Sequence, residues 1–266
     1  MSNLFRQVTY LTSETAIGGT YIREYDISKA NINILLYKGL ITRERYKYLY
    51  SLPKKLREVL VGVMQRNKKY LVAIQEGILE FKERFFKSNR IKDDDVVAIK
   101  NDAIFIKDVV PKYTKFSNIE FKLKNIYTTF MNVNGIEIYY NSNTGNMDLK
   151  GLGEDRMELH KSMLESIKII VDFASLNAFD DCFYYLKDIY RKLCNKELPV
   201  DYYREFNPRS EFLIDSRHTM MGYSLQYNYL PESYKKYLNI ATNEKFFREL
   251  SLACVRLFFK TSPHRT

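Results

Sequence analysis

The chain has 266 residues, 45% hydrophobic and 28% charged, with a net charge of +10. That length and balance fit one large or two small globular domains, and ten Gly and six Pro argue against long disordered linkers. No apolar run approaches the ~18 residues of a membrane-spanning helix, and the opening "MSNLFRQVTY" lacks the apolar core of a secretion signal.

Surplus Lys and Arg point to a polyanionic partner, nucleic acid before an anionic membrane surface. Cys182, Cys194 and Cys254 form no close pair, and an odd count without a signal segment points to free thiols in a reducing compartment. His160, His218 and His264 are scattered, so no Cys/His zinc pattern can be read.

In chain order, the first element is a strand from Tyr21 to Ile27, ending near Asp26. A short helix follows, with Ile32, Leu35 and Leu36 on one face. "TRERYKYLYSL" (42–52) is helical and basic, with Thr42 as its cap. Pro53 breaks it and suits the first turn of the next helix. Residues 53–86 read as a long helical stretch, divisible into two helices, in which Leu71, Ile74, Ile78, Phe81 and Phe85 keep a helical spacing.

"VVAIKNDAIFIKD" (96–108) places Asn101–Asp102 between two apolar runs. Short polar side chains tolerate the special dihedrals of a tight turn, so this reads as strand–turn–strand. Residues 119–152 alternate, and Asn134–Gly135 signals a second hairpin. From Arg156 the pattern is helical again, through "RMELHKSMLESIKIIVDFASL" and "AFDDCFYYLKDIYRKLCNKELP". The stretch from 207 mixes turns and carries Arg209, Arg217 and His218; "NEKFFRELSLACVRLFFK" (243–260) is a C-terminal helix. Strand, helices, hairpin, strands, helices is an α+β order with an antiparallel sheet.

Two acids stand at strand ends, Asp26 and Asp102. Taken singly, each is a turn or cap residue. If their strands lie side by side, the carboxylates converge and call for a divalent cation between them, with magnesium the oxygen-loving choice.

Several short motifs, in this order, resemble the palm and thumb of a family B DNA polymerase, over about residues 18–206. "YDISKANIN" resembles the family's first motif, with Asp26 at the metal-binding aspartate. "KKLREVLVG" keeps Lys54 and Gly62 of the fingers motif, with Glu58 and Val59 where Asn and Ser are usual. "IKNDAIFI" resembles the third motif, with Asp102 at the metal-binding aspartate and Lys100 in place of the first acid. "NMDLKGLGEDR" is similar to the family's segment near the primer strand, and "FDDCFYYLKDIYRKLCNKELPVDYYREF" to a thumb helix and its following loop.

The resemblance implies a palm with an antiparallel sheet, short helical fingers and a mainly helical thumb. The expected divisions are 1–40 for the N-terminal part of the palm, 41–70 for the fingers, 71–155 for the palm with its catalytic hairpin, and 156–266 for the thumb and C-terminal region. It implies a template-directed nucleotidyltransferase, pared down or split, with no exonuclease domain. Asp26, Asp102 and the Ile27 backbone carbonyl would bind Mg²⁺ or Mn²⁺. Lys54, Arg57, Arg43, Asn31 and Gly62 would meet the incoming nucleoside triphosphate. Lys150, Gly151 and Arg156 would meet the primer–template.

Asn31 replaces a family Tyr that blocks a ribose 2′-hydroxyl, which implies weaker exclusion of ribonucleotides. Lys100 sets a positive charge beside the metal site, and with the altered fingers motif it favours an alternative: an inactive, polymerase-like nucleic-acid-binding or assembly subunit. Another polymerase or exonuclease subunit is an expected partner; a membrane is not. The Lys-, Asn- and Tyr-rich composition suggests an AT-rich, viral genome, and hence the host cytoplasm.

Overall fold

The computed structural model describes residues 4–152, 154–204, 206 and 240–261. The chain forms two compact units, one from Met1–Ser13 with Tyr21–Ile126, the other from Glu14–Thr20 with Tyr127–Thr266. The architecture is mixed α and β with antiparallel sheets, as the element order predicts. Among the described residues no helix is long and apolar enough to cross a membrane.

The first unit holds a sheet of six strands: β1 (Thr9–Leu11), β3 (Ile22–Ile27), β4 (Val96–Lys100), β5 (Ala103–Lys107), β6 (Lys115–Phe116) and β7 (Ile119–Tyr127). Their order is β1-β4-β5-β3-β7-β6. The middle strand β5 has no exposed residue and buries Ile104, Phe105 and Ile106, so it reads as a continuous apolar run rather than an alternation. β1 escapes a pattern-based reading because three residues are too few to show a period.

Four helices belong to this unit: α1 (Ala30–Tyr37), α2 (Arg43–Ser51), α3 (Lys54–Gln65) and α4 (Lys68–Asn89). The Thr42 hydroxyl accepts from the Arg45 amide at 3.2 Å, as expected of a cap. The long helical stretch does divide, because Asn67 caps α4 by accepting from the Lys69 amide at 3.0 Å. Ile74, Ile78, Phe81 and Phe85 form the buried stripe of α4, while Leu71 stays exposed. Phe85 stacks on Phe121 at 4.3 Å between ring centres and packs on Tyr25 at 5.6 Å, which fixes α4 to the sheet. Gly77 lets α1 approach: a Cβ there would lie 2.3 Å from Ile34 Cγ2.

The second unit holds a sheet ordered β10-β9-β8-β2, from β2 (Ala16–Ile17), β8 (Thr129–Val133), β9 (Ile136–Asn141) and β10 (Asn146–Lys150). Asn134 and Gly135 make the predicted hairpin, both with positive φ. Helices α5 (Glu154–Leu159), α6 (Lys161–Ser175), α7 (Phe179–Cys194) and α8 (Ile240–Thr261) complete the unit. Ile136, Ile138, Met163, Ile167, Ile170, Phe246 and Leu250 all join one core.

One sequence expectation is corrected here. Cys182 on α7 and Cys254 on α8 are distant in the chain, yet their thiols are hydrogen-bonded to each other. Helix packing, not sequence spacing, makes the pair. Arg209, Arg217 and His218 lie outside the described residues.

Candidate functional site

Strand register brings the two acids together. β3 and β5 run antiparallel with Asp26 opposite Ala103, and β4 and β5 pair Lys100 with the same Ala103. Asp102, the turn residue just before Ala103, therefore arrives at the end of β3. Asn101 holds the tight turn in the left-handed region, at φ 54°, a place Asn tolerates better than most residues. Its amide donates to the Val8 carbonyl at 2.8 Å, which ties the hairpin tip to the chain ahead of β1.

The carboxyls of Asp26 and Asp102 lie within hydrogen-bond reach of each other. Burial first, then the charge of Asp26, pushes Asp102 up from 3.8 to about 6; its own backbone amide and Lys124 pull the other way. A hydrogen bond between two carboxyls needs a proton on one of them. Such a pair can exchange that proton for a cation.

The pair opens into a cleft of about 370 Å³, within the range of small-ligand sites. Its walls carry Lys29, Lys54 and Arg57, together with Asn31 and Glu58. Lys54, Arg57, Glu58 and Val61 share this wall because positions i, i+3, i+4 and i+7 of α3 fall on one helical face. Lys54 Nζ stands 3.8 Å from a Glu58 carboxylate oxygen, an exposed pair of small energetic weight. Arg57 is half-buried and donates to the Leu52 carbonyl at 3.3 Å. Lys29 lies with φ at 49°, its ammonium 2.9 Å from the ring centre of Tyr50.

Asn33 wires the cleft floor. Its amide nitrogen donates to the Ser28 carbonyl at 2.6 Å, its side-chain oxygen accepts from Tyr46 at 2.8 Å, and its backbone carbonyl accepts from Asn118 at 2.8 Å. These bonds join α1 to α2 and to the turn before β7.

Of the sequence-derived candidates, Asp26, Ile27, Asn31, Lys54, Arg57 and Asp102 all line this cleft. Arg43 and Gly62 do not line it: Arg43 is exposed at the start of α2, and Gly62 is exposed on α3, with open space where a Cβ would stand. Lys100 is also absent from the walls; it is the half-buried last residue of β4. Lys150 and Gly151 belong to the second unit. There Lys150 pairs with Glu137 in register, and Gly151 has φ 91°, where a Cβ would meet the Gly135 carbonyl oxygen at 2.8 Å. The side chain of Arg156 lies outside the described residues.

Sequence reasoning missed Lys29 and Lys82. Lys29 stands three residues after Asp26, within the quoted motif. Lys82 sits on α4 four residues after Ile78, so the helical period puts it on the buried stripe. It is completely buried, and its ammonium donates to the Gln7 carbonyl at 2.7 Å.

Among the described residues, no three His, Cys, Asp or Glu side chains gather to cage a metal. Two carboxylates beside cationic walls instead fit a magnesium-type ion that keeps water or ligand phosphate oxygens in its remaining positions. The second unit has a different hollow, an apolar groove of about 470 Å³ between α7 and α8, lined by Phe179, Phe183, Phe247 and Phe258.

By sequence the chain belongs to the bacteriophage PBS1 gene 130 protein family, whose model matches residues 1–255. No curated protein matches it.

Proposed function

We propose that this phage-family protein is a template-directed nucleotidyltransferase resembling a pared-down or split family B DNA polymerase. The observation that carries the reading is the meeting of Asp26 and Asp102 in a cleft walled by Lys29, Lys54 and Arg57. Paired carboxylates suit metal-assisted in-line phosphoryl transfer, and the cations suit a polyphosphate. In this reading the first unit supplies palm and short fingers, and α6 to α8 supply the thumb.

Asp26 and Asp102, with the Ile27 backbone carbonyl, would hold Mg²⁺ or Mn²⁺. When bound, the metal would activate the primer 3′-hydroxyl and neutralise the leaving pyrophosphate. Lys54 and Arg57 grip the triphosphate, Lys54 as a point charge and Arg57 as a planar fork. Lys29 adds a third cation. Asn31, with an amide in place of an aromatic ring, leaves room for a ribose 2′-hydroxyl. Lys150, Gly151 and Arg156 lie along the primer–template backbone. The protein works in the host cytoplasm.

Primer extension with Mg²⁺ or Mn²⁺ tests the reading. Asp26→Ala and Asp102→Ala should each reduce extension by ~10³-fold or more, since either change removes half of the carboxylate donors. Extension that survives both substitutions excludes catalysis at this cleft. One observation favours a second reading: Glu58 lines the nucleotide wall and pairs with Lys54, weakening its claim on phosphate. Salt-sensitive nucleic-acid binding without extension by the natural protein would identify an inactive binding or assembly subunit.

A further inference from the structure

The cleft has a charged residue that its surface does not reveal. Lys82 lies wholly buried on α4, and its ammonium is held by the Gln7 carbonyl at 2.7 Å. The next carbonyl, that of Val8, accepts from Asn101 at 2.8 Å. Consecutive carbonyls thus bind the buried ammonium and the turn that carries Asp102. The two held groups are therefore neighbours by construction, and the charge of Asp102 favours the protonated form of Lys82. Burial opposes that form and brings Lys82 down to about 8, still protonated near neutral pH.

A buried ammonium costs several kcal/mol in desolvation, and a Met of similar length would fill an apolar stripe without that cost. The charge has a consequence at the cleft. Two ionised carboxylates carry two negative charges, and the fixed cation offsets one. With Lys29, Lys54 and Arg57 on the walls, a lone divalent ion enters a site already rich in positive charge. A polyphosphate arriving with the ion reverses that balance.

Resting on the nucleotidyltransferase reading, we propose that Lys82 is a positioning residue that holds the N-terminal segment against the Asp102 turn and makes metal uptake depend on a bound nucleoside triphosphate.

The test is Mn²⁺ binding, followed by the electron-spin signal of the free ion, near neutral pH. It is run with and without a non-hydrolysable triphosphate analogue. The natural protein should bind Mn²⁺ weakly alone and more tightly with the analogue. Lys82→Met should bind Mn²⁺ alone roughly three- to tenfold more tightly, because one repelling charge has gone, and its dependence on the analogue should shrink. Lys82→Arg should match the natural protein.

A Lys82→Met protein that loses thermal stability but keeps natural Mn²⁺ binding would reduce Lys82 to a packing role and overturn the inference. If Lys82→Met does not fold, Lys82→Gln replaces it, with the same outcomes: the amide can donate a hydrogen bond but carries no charge. Asp102→Asn separates this inference from the reading beneath it. Mn²⁺ binding with the analogue that is untouched by Asp102→Asn removes the metal site itself, and the role of Lys82 with it. Loss there, with no change in Lys82→Met, removes only the role of Lys82.

Discussion

Asp102 in the first unit and Asp201 in the second are both desolvated carboxylates, and burial is the leading cause that raises each above its ordinary value. Their company differs. Asp201 is fully buried, and one carboxylate oxygen accepts from the Met163 amide at 2.9 Å, in the first turn of α6. Unsatisfied amides at a helix start favour a carboxylate, so Asp201 acts as a cap supplied from elsewhere in the chain. Asp102 faces another acid and an open cleft. A shift of the same direction therefore accompanies a structural role in one place and a candidate chemical role in the other. What distinguishes them is the partner: backbone amides use up a carboxylate, whereas a second carboxylate leaves it able to bind something more.

The largest expected effect on stability lies at Asp201. Asp201→Ala should destabilise the protein by about 2–3 kcal/mol, because it strips an acceptor from a buried helix start. Chemical denaturation measures this, and Asp201→Asn should recover much of the loss. Extension at a temperature where the variant stays folded should be unchanged. A stability-neutral Asp201→Ala would erase the contrast.

Asp102 should behave in the opposite way. Its folded value of about 6 lies above the ordinary 3.8, so the native state holds the proton more tightly than the unfolded chain. The stability this contributes is present below about pH 4 and is lost as pH rises through about 6. Asp102→Asn should therefore stabilise the protein at neutral pH by about 1–2 kcal/mol, after allowance for partial solvent screening. The slope of stability between those pH values should flatten. A destabilised Asp102→Asn would mean that the turn needs the carboxylate as a structural acceptor, as Asp201 is needed.

The smallest effect is at the cleft's specificity wall. Asn31→Tyr should change the ratio of UTP to dTTP incorporation by several-fold, equivalent to about 1 kcal/mol, in favour of dTTP. Strong discrimination by the natural protein would show that Asn31 does not set sugar choice.

The elements were largely legible in the sequence. The Asn101–Asp102 and Asn134–Gly135 turns announced their hairpins because tight turns demand particular residues. The α4 stripe announced its helix because burial repeats with the helical period. Lys54 and Arg57 could be placed on one wall by the same counting. β1 and β2 could not be found, since two or three residues carry no period and their ladders come from β4 and β8.

By itself the sequence determined local features: which segments wind, which extend, and which acids stand at strand ends. Only the tertiary structure decided that β3 lies against β5, so that Asp26 meets Asp102, that Cys182 meets Cys254, and that Lys82 ends on the Gln7 carbonyl. The reason is physical. Turn chemistry and periodicity act over a few residues, while strand partners and the neighbours of a buried charge are set by whole surfaces closing on one another, and no short stretch of chain encodes that closure.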